Sequence, residues 1–401
     1  MITVDEHLAR VLVDVRPLEP ESVRVDLAYG RMLATDVVCV HPSPPFDNSA
    51  MDGYAVRRGD LLEATPGSLS ELRVVGEVAA GSADDPLIES GSTVRIMTGA
   101  PVPTDADAVV PIERTAEADW AADRVTVTTA PRPGANIRRR GEDLAVGDLV
   151  LSAGRVMTPY DVAAAVSSGV ERVEVRARAR VAVIATGDEV RPPGVALRRG
   201  SIHDSNSPLV CGLAAAAGAD VVHRSRAGDL VGELDLALQK ALRYAPHVVI
   251  LTGGVSVGAH DPVTRLDLQF AKVAMQPGKP QAFGRLGGAA VFGLPGNPVG
   301  AAVSFDAFVL PLLRTLHGLP SESPTEVAVA ETGWAKPPMR RQYMPVVARR
   351  VDGGLHVRPA NDRGSGSHLI GRLARADGYA VIPAESAEVR VGDLVPVTLR
   401  P

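Results

Sequence analysis

Short apolar runs that alternate with helical stretches mark residues 178–320. The runs at 181–186 and 247–251 are continuous, and each is followed by glycine within a few residues. Segments of helical periodicity lie between such runs, at 207–217 and 230–244, and the last of them spans 299–316. Strands that alternate with helices of about 10–15 residues favour a parallel sheet covered on both faces. The pattern therefore predicts a three-layer α/β domain in this part of the chain.

The flanking regions show a different pattern. Short β-branched runs, broken by glycine, proline and aspartate, fill residues 72–129 and 325–401 and predict two small β domains. Residues 3–36 are expected to form one or two helices, with Thr3 as an N-terminal cap. A further helix is predicted over 158–170, where Thr158 precedes a proline at the first helical position.

Composition narrows the class of protein. The chain has 401 residues, of which 45% are hydrophobic and 22% charged, as is ordinary for a globular chain of several domains. A net charge of −5 argues against a dedicated nucleic-acid binder, and two distant cysteines exclude a disulfide framework or a cysteine-rich zinc site. No apolar run reaches about 18 residues and the start lacks a signal-peptide pattern, so we expect a cytoplasmic protein without a membrane partner.

Polar residues follow several of the predicted strands. In an open α/β sheet, ligands bind outside the carboxyl ends of the strands, where Glu189, Asp229, Asp261 and the Gly253-Gly254 pair are expected to lie. A glycine pair lets the backbone approach a phosphate closely, and carboxylates suit Mg²⁺. Taken singly, the glycine pair is consistent with a structural turn and each aspartate with a helix cap. Their convergence favours a magnesium–phosphate site.

Basic residues supply a second kind of candidate. Lys272 and Lys279 lie near a strand end, and Lys279 is enclosed by prolines. Arg138, Arg139 and Arg140 form an oxyanion-binding candidate, although a solvated basic run beside its own acids is an equal alternative. The loops at 44–56 and 98–103 combine apolar and polar residues in a way that a mere linker does not require.

These segments together resemble the molybdopterin molybdenumtransferase family, which includes MoeA and the E domains of gephyrin and of plant Cnx proteins. The resemblance covers essentially the whole chain and rests on residues 44–56, 98–103, 134–144, 184–190, 252–261, 277–284 and 293–300. It implies a multidomain α/β plus β subunit. The expected domains are an elongated N-terminal domain (1–45 and 135–177), an inserted β domain (46–134), the α/β molybdopterin-binding domain (178–320) and a C-terminal β-barrel-like domain (321–401).

The resemblance also implies an activity. Members of the family insert molybdate into adenylylated molybdopterin with Mg²⁺ or a similar cation, which releases AMP and forms the molybdenum cofactor. They form homodimers whose active cleft combines the α/β domain of one subunit with the inserted β domain of the other. The molybdopterin adenylyltransferase is a further expected partner.

Site residues follow from the same resemblance and, for Lys272, Gly253, Gly254, Asn297 and Pro298, from their positions at predicted strand ends. Those expected to take part in catalysis are Asp52, Thr98, Glu189, Asp229, Asp261, Lys272 and Lys279. Those expected to hold the metal are Asp261, Glu189 and Asp229. Those expected to bind substrate are Gly253, Gly254, Ser256, Pro280, Arg138, Arg139, Arg140, Asn297, Pro298, Arg340 and Ser367.

This chain also departs from the family pattern. Gln276 stands where many members have a lysine, Gly300 replaces a frequent serine, and Gln342 and Pro345 occupy a segment that usually holds an acid and a second arginine. A paralogue that uses tungstate or acts as a non-catalytic scaffold therefore stays open. A molybdopterin adenylyltransferase would not need the extra β domains, and a generic phosphate-binding α/β protein would not need Asp52 and Thr98.

Overall fold

A computed structural model describes residues 1–62, 69–254, 263, 266–361 and 369–400. The chain forms two compact units. The first unit contains Met1–Glu21 and Arg176–Pro401, and the second unit contains Ser22–Val175. The four-domain boundaries expected from the sequence stay a prediction.

A six-stranded sheet is the centre of the first unit. In spatial order its strands are Asp220–Ala227, Arg180–Thr186, Val248–Thr252, Ala289–Leu294, Pro280–Leu286 and Gln269–Lys272. The first four run parallel, which confirms the α/β prediction, but the last two are antiparallel to their neighbours. Gly287 and Gly288, both at positive φ, join two of the strands in a two-residue hairpin, so this pair has to be antiparallel.

Helices cover both faces of this sheet. Along the central strands alternate residues enter opposite cores, so Val183 and Ile184 belong to different hydrophobic clusters. The helix Glu233–Leu242 packs on one face. The other face is covered by the helices Val4–Leu12, Asn206–Ala216 and Pro298–Leu316, the last of which contains a π-helical segment at Phe305–Val309. The predicted three layers are confirmed.

The helix Pro298–Leu316 is long and strongly apolar. Among the described residues, it alone is long and apolar enough to cross a membrane. However, 72% of its apolar stretch is buried inside the protein, and its residues Val299, Phe308 and Leu312 lie in the core. A buried core helix meets the same criteria of length and composition, so this helix is weak evidence for a membrane span.

The C-terminal part of the first unit is a closed β-barrel. Its strands, in spatial order, are Arg341–Val351, Gly354–Pro359, Glu326–Ala330, Leu394–Leu399 and Gly378–Ile382, and the last pairs with the first. Trp334–Ala335 pairs with Glu388–Val389, and a short helix spans Ile370–Leu373. Met275–Gln276 adds to the edge of Arg341–Val351. The predicted barrel-like domain is confirmed.

The second unit is built on a five-stranded sheet. In spatial order its strands are Ala108–Pro111, Gly53–Val56, Ser92–Ile96, Ser70–Val78 and Arg124–Val127. The helix Pro159–Ser167 begins at Thr158, which forms the expected cap. The remaining short pairs in this unit are Asn48–Ser49 with Ile137–Arg138 and Val37–Val38 with Leu149–Leu151. The small all-β domain predicted over 72–129 is therefore present.

The prediction of one or two helices over 3–36 is only partly right. A single helix, Val4–Leu12, begins with a capping box between Thr3 and Glu6. Pro17 and Pro20 follow, and proline removes the backbone donor that a continuing helix needs. The chain instead forms the strand Pro20–Arg24, which pairs with Arg172–Arg176, and the 3₁₀ turn Val25–Leu27.

We expect His7 to make the first unit less stable in acid. Its ring is 3% exposed and meets Phe308 edge-on at 4.6 Å between centroids. Burial, with a smaller contribution from the charge of Arg10, lowers the pKa of His7 from 6.5 to about 4. His7 therefore takes up a proton near pH 6.5 in the unfolded chain but only near pH 4 in the folded chain. The free energy of unfolding consequently decreases as the pH falls through this range.

The test compares urea unfolding of the wild type and His7→Leu at pH 7.5 and 4.5. The wild type should lose ~2–3 kcal/mol more than the variant on acidification. The comparison between variants is needed because burial raises the pKa of Asp306 to about 7, which changes stability in the opposite direction. Equal losses in both proteins would contradict the role of His7.

Candidate functional site

The four parallel strands of the first unit end together at one edge of the sheet. Thr186 is in register with Ala227, and Thr252 is in register with both Ala185 and Leu294. Glycine or proline follows each strand, so the chain turns sharply at this edge. The loops after four different strands are thereby placed side by side, as the sequence predicts.

Carboxylates occupy the outer end of this edge. The N–H of Asp188 donates to Asp229 Oδ2, and the N–H of Asp229 donates to Asp188 Oδ1, both at 3.2 Å. The N–H of Gly228 donates to Glu233 Oε2 at 2.6 Å. Glu189 lies next in the chain, and its carboxyl group fills the space where a side chain on Gly187 would be. These contacts fix two neighbouring loops to each other through their acids.

The glycine pair lies at the centre of the edge. Gly253 and Gly254 have φ values of +93° and +70°, a conformation that side chains disfavour. A Cβ on Gly253 would lie 3.0 Å from the carbonyl oxygen and 3.1 Å from the hydroxyl of Thr186. The N–H of Gly253 donates to Leu294 O at 3.1 Å. Both conformation and space therefore require glycine at 253.

Among the described residues, buried polar atoms without partners lie at the start of the helix Asn206–Ala216 and at Thr252, the residue before the glycine pair. Asn206 Nδ2 donates to Gly296 O at 2.7 Å, and a Cβ on Gly296 would lie 3.6 Å from Gly253 Cα. Within the described part of the chain, Asn206 Oδ1, Ser207 Oγ and Thr252 Oγ1 are buried without a hydrogen-bond partner. Helices begin at Asn206 and Pro298, and a helix N-terminus leaves backbone N–H groups unpaired. The helix N–H groups and the two hydroxyls can donate hydrogen bonds to a bound anion.

Lys272 and Lys279 lie at the same edge of the sheet, at the end opposite to the carboxylates. Lys272 ends the strand Gln269–Lys272 and is in register with Pro280, which begins the neighbouring strand. Val273 N–H donates to Lys279 O at 2.8 Å, and Ile2 N–H donates to Lys272 O at 3.1 Å. The lysine segment is thus tied to the start of the chain, a contact that the sequence does not reveal.

The turn that carries Lys279 also meets the barrel. Met275 is in register with Arg341, the residue after Arg340. Gln342 Nε2 lies 3.5 Å from Gln276 Oε1, while Gln342 Oε1 accepts from Trp334 Nε1 at 3.0 Å. Two of the departures from the family pattern are therefore neighbours in space. They form a neutral pair of amides beside the lysine turn.

The second unit holds its own cluster of polar residues. Asp52 Oδ1 accepts from the N–H of Thr98 at 2.6 Å and from its hydroxyl at 2.8 Å. These bonds, the backbone one foremost, hold the pKa of Asp52 below its ordinary value. The loop at 44–56 pairs with Arg138 through Asn48. The predicted residues Asp52 and Thr98 are therefore in direct contact.

The three consecutive arginines of this unit differ in their partners. Arg139 forms an ion pair with Asp47 at 2.6 Å, and the N–H of Arg140 donates to the same carboxylate at 2.7 Å. Among the described residues, no side-chain partner occurs for Arg138 or Arg140. All three arginines are exposed, and among the described residues Arg139 alone of the three has a side-chain acid partner.

The predicted site residues fall into four groups. Those at the sheet edge of the first unit are Glu189, Asp229, Gly253, Gly254, Lys272, Lys279, Pro280, Asn297 and Pro298. Those in the second unit are Asp52, Thr98, Arg138, Arg139 and Arg140. Arg340 precedes the first barrel strand. Asp261, Ser256 and Ser367 lie outside the described residues. The roles of all these residues stay predictions.

Sequence reasoning missed several residues at this edge. The sequence places Asp188 after a strand at this edge, but its hydrogen bonds with Asp229 are not predicted. Asn206 follows Asp204 and Ser205 at a predicted helix start, where a polar side chain is usually taken as a cap. It instead binds the carbonyl of Gly296, 90 residues away in sequence.

We expect Gly253→Ala to destabilise the first unit by ~1–3 kcal/mol, because the methyl group meets Thr186 and the φ of +93° is strained. The matched control is Gly212→Ala, in the helix Asn206–Ala216, where a Cβ meets nothing within 4 Å. That control should gain ~0.5–1 kcal/mol from helix propensity. Thermal denaturation measures both, and a tolerated Gly253→Ala would contradict the geometry.

Comparison with known proteins supports one family throughout the chain. Residues 2–169 match the MoeA N-terminal region (domain I and II), and residues 327–399 match the MoeA C-terminal region (domain IV). Residues 182–315 match a probable molybdopterin binding domain. That match contains the sheet edge with its glycine pair.

Curated relatives and solved structures are similar over nearly full length. Molybdopterin molybdenumtransferase 2 of Mycobacterium tuberculosis is 40% identical, covering 98% of each chain. The molybdopterin molybdenumtransferase of Haemophilus influenzae is 33% identical, covering 99% of this chain and 98% of its own. A crystal structure of the molybdopterin biosynthesis MoeA protein of Pyrococcus horikoshii covers 100% of both chains, with a TM-score of 0.78 and 28% identity. This chain belongs to the MoeA family.

Proposed function

We propose that this protein is a transferase of molybdenum cofactor biosynthesis, which inserts molybdate into adenylylated molybdopterin and releases AMP. The observation that carries the proposal is the meeting, at one sheet edge, of a glycine loop, carboxylates and a lysine turn. Each of these three features suits one part of the reaction. The names of the relatives agree with the proposal.

The glycine loop is suited to the phosphates of the pterin nucleotide. Gly253 and Gly254 let the backbone approach closely, and the helices that begin at Asn206 and Pro298 direct their positive ends toward this edge. Thr252 Oγ1 and Ser207 Oγ are buried hydroxyls without a partner among the described residues. Buried polar groups normally have partners, so a bound substrate would satisfy them.

The lysine turn is suited to molybdate, which is a tetrahedral dianion. Lys279 is half-buried in a proline-bounded turn, and Lys272 ends the adjacent strand. Charge-assisted hydrogen bonds to an anion are about twice as strong as neutral ones. Arg340 is included as a further cation because its neighbour Arg341 pairs with Met275, next to the turn. We also propose that Asp52, Thr98 and Arg138 to Arg140 are substrate contacts, which the second subunit of a homodimer would contribute.

The carboxylates at the sheet edge supply some of the ligands that a divalent cation needs. The described residues contain no group of three or more histidine, cysteine, aspartate or glutamate side chains that could hold a metal ion. Mg²⁺ commonly uses one or two carboxylates and completes its shell with substrate phosphate and water. We propose that Asp229, Glu189 and Asp261 hold it. When bound, the cation neutralises charge on the phosphate oxygens.

In the proposed reaction, two dithiol sulfurs replace two oxygens of molybdate, and these oxygens leave as two waters that take up two protons from the thiols and two from solution. Cleavage of the phosphoanhydride consumes one water, releases AMP and returns up to two protons to solution. The residues of the sheet edge act by holding both reactants and stabilising negative charge, rather than by forming a covalent intermediate. We further propose that the protein is a cytoplasmic homodimer that receives its substrate from a molybdopterin adenylyltransferase.

The first test concerns the lysine turn. Lys279→Met should lower kcat/KM for molybdate about 100-fold, since a charge-assisted contact to an anion is lost. The measurement is molybdate-dependent release of AMP from adenylylated molybdopterin, repeated with tungstate. Lys240→Met, on the helix Glu233–Leu242, removes the same charge from an exposed position and serves as the control. Activity of the wild type with tungstate alone would point to a tungsten-specific enzyme.

The second test concerns the cation. Asp229→Asn keeps an oxygen that can accept from Asp188 N–H but removes the charge, so the Mg²⁺ concentration for half-maximal AMP release should rise about tenfold. Asp235→Asn, an exposed acid on the helix that follows, should leave that concentration unchanged. A Mg²⁺ dependence identical in both variants would remove Asp229 from the proposed metal site.

A further inference from the structure

The turn that carries Lys279 is held by a buried side chain that no comparison assigns. Gln281 is 2% exposed, and its Nε2 donates to Gly278 O and to Ser304 Oγ, both at 2.6 Å. Ser304 is fully buried in the helix that begins at Pro298. Two elements of the sheet edge therefore meet through one amide group.

Glycine is required on both sides of this contact. Gly278 has a φ of +100°, and a Cβ there would lie 2.8 Å from Ser304 Oγ. A Cβ on Gly300 would lie 3.1 Å from Pro295 Cβ and 3.8 Å from Gly278 N. The first turn of the helix thus lies close to the backbone of the lysine turn, with no side chain between them.

The amide contact determines where the next peptide points. In a trans peptide the C=O and the following N–H point in opposite directions. Because Gly278 O is directed inward to Gln281 Nε2, the N–H of Lys279 is directed away from Gln281 and Ser304. That N–H donates no hydrogen bond to any of the described residues, whereas Lys279 O accepts from Val273. Lys279 therefore offers both its charge and a backbone donor that has no acceptor in the described part of the chain.

We propose that Gln281 is a positioning residue for the oxyanion site, which fixes the 278–279 peptide so that the Lys279 N–H faces the bound molybdate. This inference rests on the proposed function. An oxyanion would receive a backbone hydrogen bond from the same residue that supplies the lysine charge. Without the amide, Gly278 O loses its donor and the peptide is free to rotate.

The experiment compares Gln281→Met, which keeps the length of the side chain and removes its donors, with Gln269→Met. Gln269 is exposed on the neighbouring strand, so the control makes the same chemical change away from the turn. Gln281→Met should raise KM for molybdate about tenfold and leave KM for adenylylated molybdopterin within about twofold. A purely structural defect would change both constants or kcat. Unchanged constants would overturn the proposal.

A crystal structure of Gln281→Met supplies a readout that does not need activity. A rotated 278–279 peptide supports the positioning role, and a peptide in its original orientation overturns it. If the wild type releases no AMP with molybdate, the proposed function fails, and this structural readout still decides the role of Gln281. If Gln281→Met does not fold, Ser304→Ala removes only the second contact of the amide and should raise KM for molybdate in the same direction but less.

Discussion

Parallel pairing of four strands is the constraint on which the first unit depends. The side chains of the three central strands, Arg180–Thr186, Val248–Thr252 and Ala289–Leu294, enter apolar cores on both faces of the sheet, so their backbone groups have no water to bind and must pair in register. In these three strands polar side chains are confined to the ends, whereas the edge strand Asp220–Ala227 is only partly buried and carries polar residues along its length. Because all four strands are parallel, their carboxyl ends meet at one edge, and the helices that follow start there. The candidate functional residues therefore lie at this edge because apolar side chains fill both faces of the sheet.

The loops at the edge are held by contacts among themselves rather than by long-range charge. The carboxylates of Asp188 and Asp229 each accept a hydrogen bond from the other residue's N–H. Asn206 donates to the carbonyl of Gly296, and Gln281 donates to that of Gly278. In each case a side chain satisfies a backbone group that a sharp turn leaves unpaired. The glycines that allow these turns also leave room for a ligand. Rigidity of the loops and access for a substrate therefore have the same origin.

The sequence predicts the parts of the fold that depend on local periodicity. The apolar runs at 181–186 and 247–251 are strands, the run at 299–316 is a helix, and the flanking β regions are present. The antiparallel hairpin is not predicted because Pro280–Leu286 contains proline, glycine and polar residues and lacks the apolar run of a buried strand, although the Gly287-Gly288 pair that follows is a hairpin signal. The contact of Gln276 with Gln342 joins residues 66 apart, and only tertiary structure brings them together. Candidate residues at strand ends could be named, but their partners could not.

Because the chain has few lysines, the geometry of the turn that carries Lys279 matters for the binding of an oxyanion. The chain has four lysines, at 240, 272, 279 and 336. Lys336 Nζ is occupied by the carbonyls of Pro337, Arg340 and Ala384, and Lys240 lies on an exposed helix surface. The amides of Gln276 and Gln342 add no charge beside the turn. Within the sheet edge, lysine charge for an oxyanion is thus limited to Lys272 and Lys279. Where few cations are present, a correctly directed backbone N–H contributes a larger share of anion binding, and the side chain that directs it becomes part of the site.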